Sequence, residues 1–376
     1  MIKTTGELPA RELTETRYPC EQCGAMQVYA VGSGELECRY CGHRSAIVSG
    51  HEPIREKDFY AALRELEQAT ALKVEKTYVK CVQCAAQFEL DENIHAGECP
   101  FCGTSVITST SHLKPIKAGA LLPFSITKKQ AQARYKTWLA SLWFAPGALK
   151  DHAREATKLH GIYIPYWTYD SQTHSSYSGM RGDIYYVQQS YTSVENGRHV
   201  TRTRREPRIR WTPASGHTQR HFDDVLIGAS RTLPRKITDW LEPWDLENMV
   251  PYSEAYISGF SSEVYQVDLD EGFSLAQGVM ENFIRRDVKH QIGGDQQRIT
   301  HLQTQHSETS FKHVLLPLWS ASFNFKGKTY RFVVNGRNGN IQGERPYSWV
   351  KIAFTLTSAG SLLAGAIIWL DSRGFL

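Results

Sequence analysis

Eight cysteines are the residues of this chain best suited to do chemistry, and all eight fall in CxxC pairs. Cys20 and Cys23 are followed by Cys38 and Cys41; the arrangement returns as Cys81 and Cys84, then Cys99 and Cys102. Each quartet has 14 residues between its pairs, and the second begins 61 residues after the first. Both quartets end on a glycine, Gly42 and Gly103. A CxxC turn points two thiolates at one centre. Two such turns on neighbouring hairpins make a sulfur tetrahedron that suits zinc, at about 2.3 Å per bond. The spacer is one residue short of the usual ribbon window but accommodates a single hairpin. Disulfides are the competing chemistry. The symmetric duplication argues against them, as does the polar start, Met1 to Pro19, which predicts no secretory signal. A redox CxxC would need neither the second pair nor the repeat. Four-cysteine sites are closed, so the spacing predicts two structural zinc ions per chain and no metal catalysis.

The elements that must hold these sites are small. Tyr29, Val31 and Leu36 are the apolar residues of the first ribbon; Phe88, Leu90 and Ile94 are those of the second. Metal binding must therefore supply most of each ribbon's folding free energy. His43 and His95 lie nearby, but the quartets are complete without them, and both read as surface residues. Between the ribbons, Glu56 to Leu72 reads as a helix with Phe59, Ala62, Leu63, Leu66 and Ala69 on one face, docked on a ribbon.

After Pro115 the composition changes. Thr127 and Gln130 form a capping box ahead of a helix carrying Ala131, Tyr135, Trp138, Leu139 and Leu142. A second helical stretch runs from about Ala148 to Leu159, and Ile162 to Trp167 is a strand. Later, Asp270 reads as the cap of a helix carrying Phe273, Ala276, Met280, Phe283 and Ile284 that ends at Gly293-Gly294. A polar stretch and the apolar strand Val314 to Trp319 follow. Each half thus reads helix, then a strand with Pro and Trp two apart, then hairpins, a weak internal repeat. Phe323, Phe325, Tyr330, Phe332 and Val334 alternate about Lys326-Gly327-Lys328, and Asn335-Gly336 and Asn338-Gly339 turn the chain toward Ile341. A helix on such a meander is similar to PepSY or cystatin-like modules.

The expected fold class is α+β. Residues 1–50 form zinc ribbon 1, 51–75 a linker helix and 76–112 zinc ribbon 2. Residues 113–268 form an α+β domain, 269–348 a second copy of that unit, and 349–376 a transmembrane anchor. The last expectation rests on Ile352 to Leu370, 19 residues without a charge, flanked by Trp349 and Trp369. That length nearly matches a hydrocarbon core of about 30 Å. Arg345 and Lys351 on the near side predict a tail-anchored protein of the inner membrane, with its bulk in the cytosol. Small residues at Gly360, Ser361, Ala364 and Gly365 allow two such helices to pack as a homo-oligomer.

A net charge of +4 over 376 residues names no partner, but its distribution does. In the hairpin flanking Asn196-Gly197, the return strand carries Arg202, Arg204, Arg205, Arg208 and Arg210, interrupted by Glu206 alone. These five are the candidate anion-binding residues. The ribbons are the opposite. From Cys20 to Ile47, Glu21, Glu35 and Glu37 outnumber Arg39 and Arg44; from Cys81 to Thr108 there are four acids and no Lys or Arg. Zinc-bound thiolates add more negative charge, so the ribbons should repel a polyanion.

The tandem ribbons with "GIYIPYWTYD", "FDDVLIGAS", "LEPWDLENMVPY", "GGDQQRI", "FKHVLLPLWSASF" and "YRFVVNGRNGNIQGERPYSW" resemble the bacterial TFIIB-type zinc-ribbon membrane proteins. Members of that family are often described as primosomal protein N′ (replication factor Y), superfamily II helicase. The resemblance implies a setting beside phage-shock-like, ESCRT-III-type membrane-remodelling proteins. The residues themselves supply no helicase. A phosphate-binding loop needs G-x4-G-K-[ST], and Gly327-Lys328-Thr329 has Ser322 where the first glycine belongs. No Rossmann glycine fingerprint and no HExxH is present, and Asp223, Asp224 and Glu254 read as structural. The expected function is a non-enzymatic, zinc-binding, membrane-tethered scaffold or adaptor contacting protein partners and lipid head groups. The alternative is a replication-linked nucleic-acid-binding ribbon protein without helicase activity.

Overall fold

The computed structural model describes residues 18–47, 53–69, 77–80, 86–89, 96–98, 101, 105–107, 110–112, 116–146, 159–195, 198–263, 265–325, 328–344 and 348–372. The first ribbon is a three-stranded antiparallel sheet of β1 (Gln27–Ala30), β2 (Glu35–Cys38) and β3 (Arg44–Ala46). Strand β4 (Lys57–Asp58) leads into helix α1 (Phe59–Ala69). The second ribbon contributes β5 (Thr77–Lys80), β6 (Gln87–Glu89), β7 (Ala96–Glu98), β8 (Ser105–Ile107) and β9 (Thr110–His112), paired as β6-β5-β9 and β7-β8. The body opens with β10 (Ala120–Leu121) and helix α2 (Lys128–Ser141). The capping box expected at its start is present, with Thr127 and Gln130 each satisfying the other's backbone N–H.

The expectation of a duplicated α+β body is corrected: the chain is mostly β, and the body is built on one sheet. Nine strands belong to it among the described residues. Strand β11 (His160–Glu195) runs 36 residues and β12 (Arg198–Gly228) runs 31; after β13 (Val250–Pro251), the short helix α3 (Glu254–Ile257), β14 (Ser261–Ser262) and helix α4 (Leu269–Ile292) comes β15 (Gln296–Phe325), with 30. β16 (Lys328–Asn335), β17 (Ile341–Gly343) and helix α5 (Trp349–Ser372) complete the chain. The spine is β12-β11-β15-β10-β13, antiparallel except that β10 runs parallel to β15. The two halves that read as repeats thus pair with each other, β11 against β15 from His160↔Ser320 to Gly182↔Gln296.

The physical reason lies in residues that hydropathy passes over. Along β11, Ser171, Thr173, Ser175 and Tyr177 are buried at every second position. The serines and threonine among them bond within the sheet, Thr173 donating to the Arg220 carbonyl at 2.7 Å and Ser175 sharing a bond with Thr304 at 2.8 Å. Helix α4 supplies the apolar half of that layer, with Phe273, Ala276, Met280, Ile284 and Val288 buried along one side. Its cap is Asp268, two residues before the expected Asp270. The helix lies so close that a Cβ on Gly272 would overlap the Tyr169 hydroxyl and sit 2.9 Å from Trp167 Cδ1. Both rings are anchored, Trp167 Nε1 donating to Val267 O and Tyr169 Oη to Leu269 O. Gly272→Ala is therefore expected to destabilise the chain by about 1–3 kcal/mol despite alanine's better helix propensity. A denaturant titration showing no loss would contradict this packing.

At its other end the sheet is covered on both faces. One face holds Tyr163, Trp319, Phe332 and Val334 under α2, whose Tyr135 stacks on Phe332 at 3.8 Å. The opposite face holds Ile162, Ile164, Tyr166, Leu316 and Leu318, with Leu241 and Trp244 above them. The ribbons divide between these faces. Tyr29 of the first enters the α2 layer, and Ala86 and Phe101 of the second are buried in the other layer. Among the described residues helix α1 docks on the body: Phe59 packs on Phe273 at 4.6 Å, and β4 pairs with Ser310 and Phe311. The helix expected from Ala148 lies largely outside the described residues.

The expected membrane anchor is also corrected. Among the described residues no helix is long and apolar enough to cross a membrane. The tail-anchored orientation and inner-membrane placement derived from it fall with it. Thr355, Thr357, Ser358 and Ser361 dilute the apolar run of α5, each hydroxyl donating to the carbonyl one turn back. The start of α5 is held to the body by Lys351 Nζ, which donates to the carbonyls of Trp143 and Ala145 at 3.2 and 2.7 Å.

Candidate metal centre

The first ribbon brings its four cysteines together. Cys20, Cys23, Cys38 and Cys41 have Sγ atoms within 4.8 Å of one another. Cys20 lies 3.5 Å from Cys41, and Cys23 lies 3.5 Å from Cys38. A tetrahedron with bonds of about 2.3 Å has sulfur–sulfur edges of about 3.8 Å, so the cluster has the size of a four-thiolate zinc site. Two matching turns build it. The N–H of Gly24 donates to Cys20 O at 2.8 Å, and that of Gly42 to Cys38 O at 2.9 Å. Each turn closes with a second bond, Cys20 N to Ala25 O and Cys38 N to His43 O. Gly24 and Gly42 have φ of +73° and +75°, a region that side chains disfavour, which explains a glycine after each CxxC here. Backbone N–H groups of Cys41 and Tyr40 bring the Cys38 thiol down to about 6 against its burial. Against the backbone N–H groups of Ala25 and His43, burial and the neighbouring thiols push those of Cys23 and Cys41 up, so that one proton-free sulfur is shared within the cluster.

The ribbon is fastened to the body on its β1 side. Tyr29 N donates to Ser258 O at 3.0 Å, Ser258 Oγ to Gln27 O at 2.8 Å, and Gly32 N to Phe124 O at 3.1 Å. The Tyr29 ring packs edge-on against Tyr256 at 5.4 Å. Cys81, Cys84, Cys99 and Cys102 lie outside the described residues, as do Leu90, Ile94 and His95. His43 is partly buried and serves through its carbonyl.

A second group of side chains has no motif to announce it. Glu56, Asp170 and Asp223 have carboxylate oxygens within 4.8 Å of one another. Lys312, only 9% exposed, answers them: its Nζ lies 3.0 Å from Glu56 and 2.8 Å from Asp224. Asp170 accepts from Asp224 N at 2.6 Å and from Ser310 Oγ at 3.0 Å. Burial pushes its carboxyl up to about 6. The pairing slips on both sides of Asp170, and Asp224 and Glu308 each take φ of +50°. These are β-bulges that bend the sheet and bring the acids together around the buried Asp170. The cluster ties Glu56, from the segment between the ribbons, to the middle of β15. Asp223-Asp224 and Lys312 are visible in the sequence, but only the two bulges bring them together.

The five arginines divide. Strand pairing sets Arg202 opposite Tyr191, Arg204 opposite Gln189, Arg208 opposite Tyr185 and Arg210 opposite Asp183. These four share one face, whereas Arg205, opposite Gln188, falls on the other.

A relative that is 25% identical over 365 residues is described as the uncharacterized protein YdjG of Bacillus subtilis (strain 168). The match covers 95% of this chain and 98% of that one. No family model matches the chain, and no solved structure matches it.

Proposed function

We propose that this chain is a non-enzymatic scaffold whose ribbons are each held by one structural zinc ion and present surfaces to protein partners. The observation that supports it is the convergence of Cys20, Cys23, Cys38 and Cys41 on one centre of tetrahedral size. Four thiolates fill a zinc ion's coordination and leave no position for substrate or activated water. The metal in this reading sets the shape of two hairpin turns. The acidic composition of the ribbons suits a basic or apolar protein surface better than a polyanion.

Two measurements test it. Purified protein is expected to carry two zinc equivalents, with X-ray absorption showing sulfur as the only first-shell neighbour. One equivalent or less, or oxygen or nitrogen among the ligands, would count against closed sites in both ribbons. Crosslinking of the intact chain to its partners should then depend on the metal. Partners captured equally well after chelation would place the interaction surface away from the ribbons.

A further inference from the structure

Strand β15 begins at Gln296, opposite Gly182, so beyond that point β11 and β12 continue as a pair without a third strand among the described residues. The arm runs for 13 residue pairs, from Asp183↔Arg210 to Glu195↔Arg198. At about 3.3 Å per residue it reaches roughly 40 Å from the sheet. A two-stranded ribbon of that length buries little of its own surface, and such ribbons are marginal in isolation. Here β11 and β12 are rooted in the core, and the arm keeps large exposed side chains: Ile184, Tyr185, Tyr186 and Tyr191.

Its two faces differ. One carries two parallel columns. Arg202, Arg204, Arg208 and Arg210 lie along β12, all exposed, with Glu206 the acid among them. Beside them on β11 run Tyr191, Gln189, Val187 and Tyr185. Asp183, at the root, is taken by Arg181 at 3.0 Å. The columns are one strand apart, about 4.8 Å, and between them Gln189, Tyr191 and Arg204 line a cleft of about 310 Å³. The other face carries Tyr186, Gln188, Ser190, Ile209 and Arg205.

We propose that the arginine–tyrosine face of this arm binds single-stranded nucleic acid, with phosphates along the arginine column and unpaired bases stacked on Tyr185 and Tyr191. A row of cations beside a row of aromatic rings is the combination that single strands require. Arg202 to Arg210 spans about 26 Å, room for at least about 4 nucleotides. A duplex offers the same charge but covers its base faces. An acidic polypeptide or an anionic lipid surface satisfies the arginines and leaves the tyrosines without planar partners. The site lies on the arm and not on the acidic ribbons, so it goes beyond the scaffold reading and stands or falls without it.

The test uses the full chain, a fluorescently labelled 20-nucleotide oligo-dT, and anisotropy between 50 and 200 mM salt. Binding is expected to weaken steeply with salt, and removing the four arginines to alanine should flatten the logarithmic slope by about 3. Tyr185→Ala and Tyr191→Ala are each expected to weaken binding about tenfold with the slope unchanged, and phenylalanine at either position to restore it. Zinc content and melting temperature should match the unaltered chain, because every substituted side chain is exposed. No binding at 50 mM salt would overturn the proposal. So would affinity indifferent to both sets of substitutions, or equal competition by a 20-base-pair duplex, polyglutamate or anionic vesicles.

Discussion

Cys38→Ser is expected to empty the first ribbon of metal and to destabilise the body with it. Cys38 is 1% exposed and belongs to β2, so the substituted oxygen stays at the centre of the quartet and offers a poor ligand. Structural zinc in small fingers contributes about 10–16 kcal/mol at neutral pH, far more than Tyr29, Val31 and Leu36 can replace. The ribbon should therefore unfold locally. Its failure does not stay local, because Tyr29 is one of the residues filling the layer between α2 and the sheet. Withdrawing that ring removes its contacts with Tyr256 and Phe260, a loss of the kind that costs about 3–5 kcal/mol when a large aromatic leaves a core. The expected results are one zinc equivalent fewer, protease cleavage appearing between residues 20 and 47, and a lower melting temperature for the whole chain. Unchanged zinc content, or a body that melts as before, would show that the ribbon is not built in this way.

Lys312→Met should destabilise the body near neutral pH, by less than the roughly 3–5 kcal/mol of a fully buried pair, because Glu56 and Asp224 keep 45% and 27% of their side chains exposed. Methionine fills the volume but leaves Glu56, Asp170 and Asp224 facing one another without their cation. The cost should depend on pH, and the sign follows from the groups involved. Burial raises the Asp170 carboxyl to about 6, so the folded state favours its neutral form. That contribution is complete below the ordinary aspartate value and is lost as pH rises through about 6. Glu56 is opposed by burial, but its bond to Lys312 holds it below the ordinary range, and its contribution is lost as pH falls. Lys312 is itself held above its ordinary value by Asp224 and Glu56, against burial, so it stays charged throughout this range. Removing the lysine should thus be less harmful at pH 5, where Asp170 holds a proton, than at pH 8. Denaturant titrations of both proteins at the two pH values test this; an equal cost at both would refute the role given to Asp170. Asp170→Asn, which keeps an oxygen for the Asp224 N–H, should flatten the stability profile between pH 4 and 7.

Local signals in the sequence were reliable where the chemistry is local. The CxxC spacing located the first metal cluster because each turn is closed by bonds within five residues, Cys20 to Gly24 and Ala25, Cys38 to Gly42 and His43. The capping box at Thr127 was legible for the same reason. The antiparallel pairing of the strands that end at Glu195 and begin at Arg198 was read correctly, but its length was not. The stretch before Val314 read simply as polar because its inward side chains include Thr304, His306 and the buried Thr309, whose partners Ser171 and Ser175 on β11 lie 129 to 138 residues away. The parity of the arginines was available and unused: even positions face one way and Arg205, an odd one, faces the other. The C-terminal apolar run was read as a span on its lack of charge, but no helix among the described residues is long and apolar enough to cross a membrane.

What the sequence by itself determined is the set of structures stabilised by near neighbours: the two cysteine turns of the first ribbon, the capping box at Thr127, the antiparallel pairing of the arm and the alternation along it. A turn, a capping box or a period-two pattern is complete within a few residues, so its energy is written in consecutive side chains. Tertiary structure alone decided how the halves combine. Pairing β11 with β15 joins residues more than a hundred positions apart, and the same helix-then-strand pattern is compatible with two separate sheets or one. The choice falls to one sheet because α4 covers a face that β11, β12 and β15 make only together. The bulges at Asp224 and Glu308 then bring three carboxylates and Lys312 into one cluster around the buried Asp170, an arrangement with no counterpart in any short stretch of the chain.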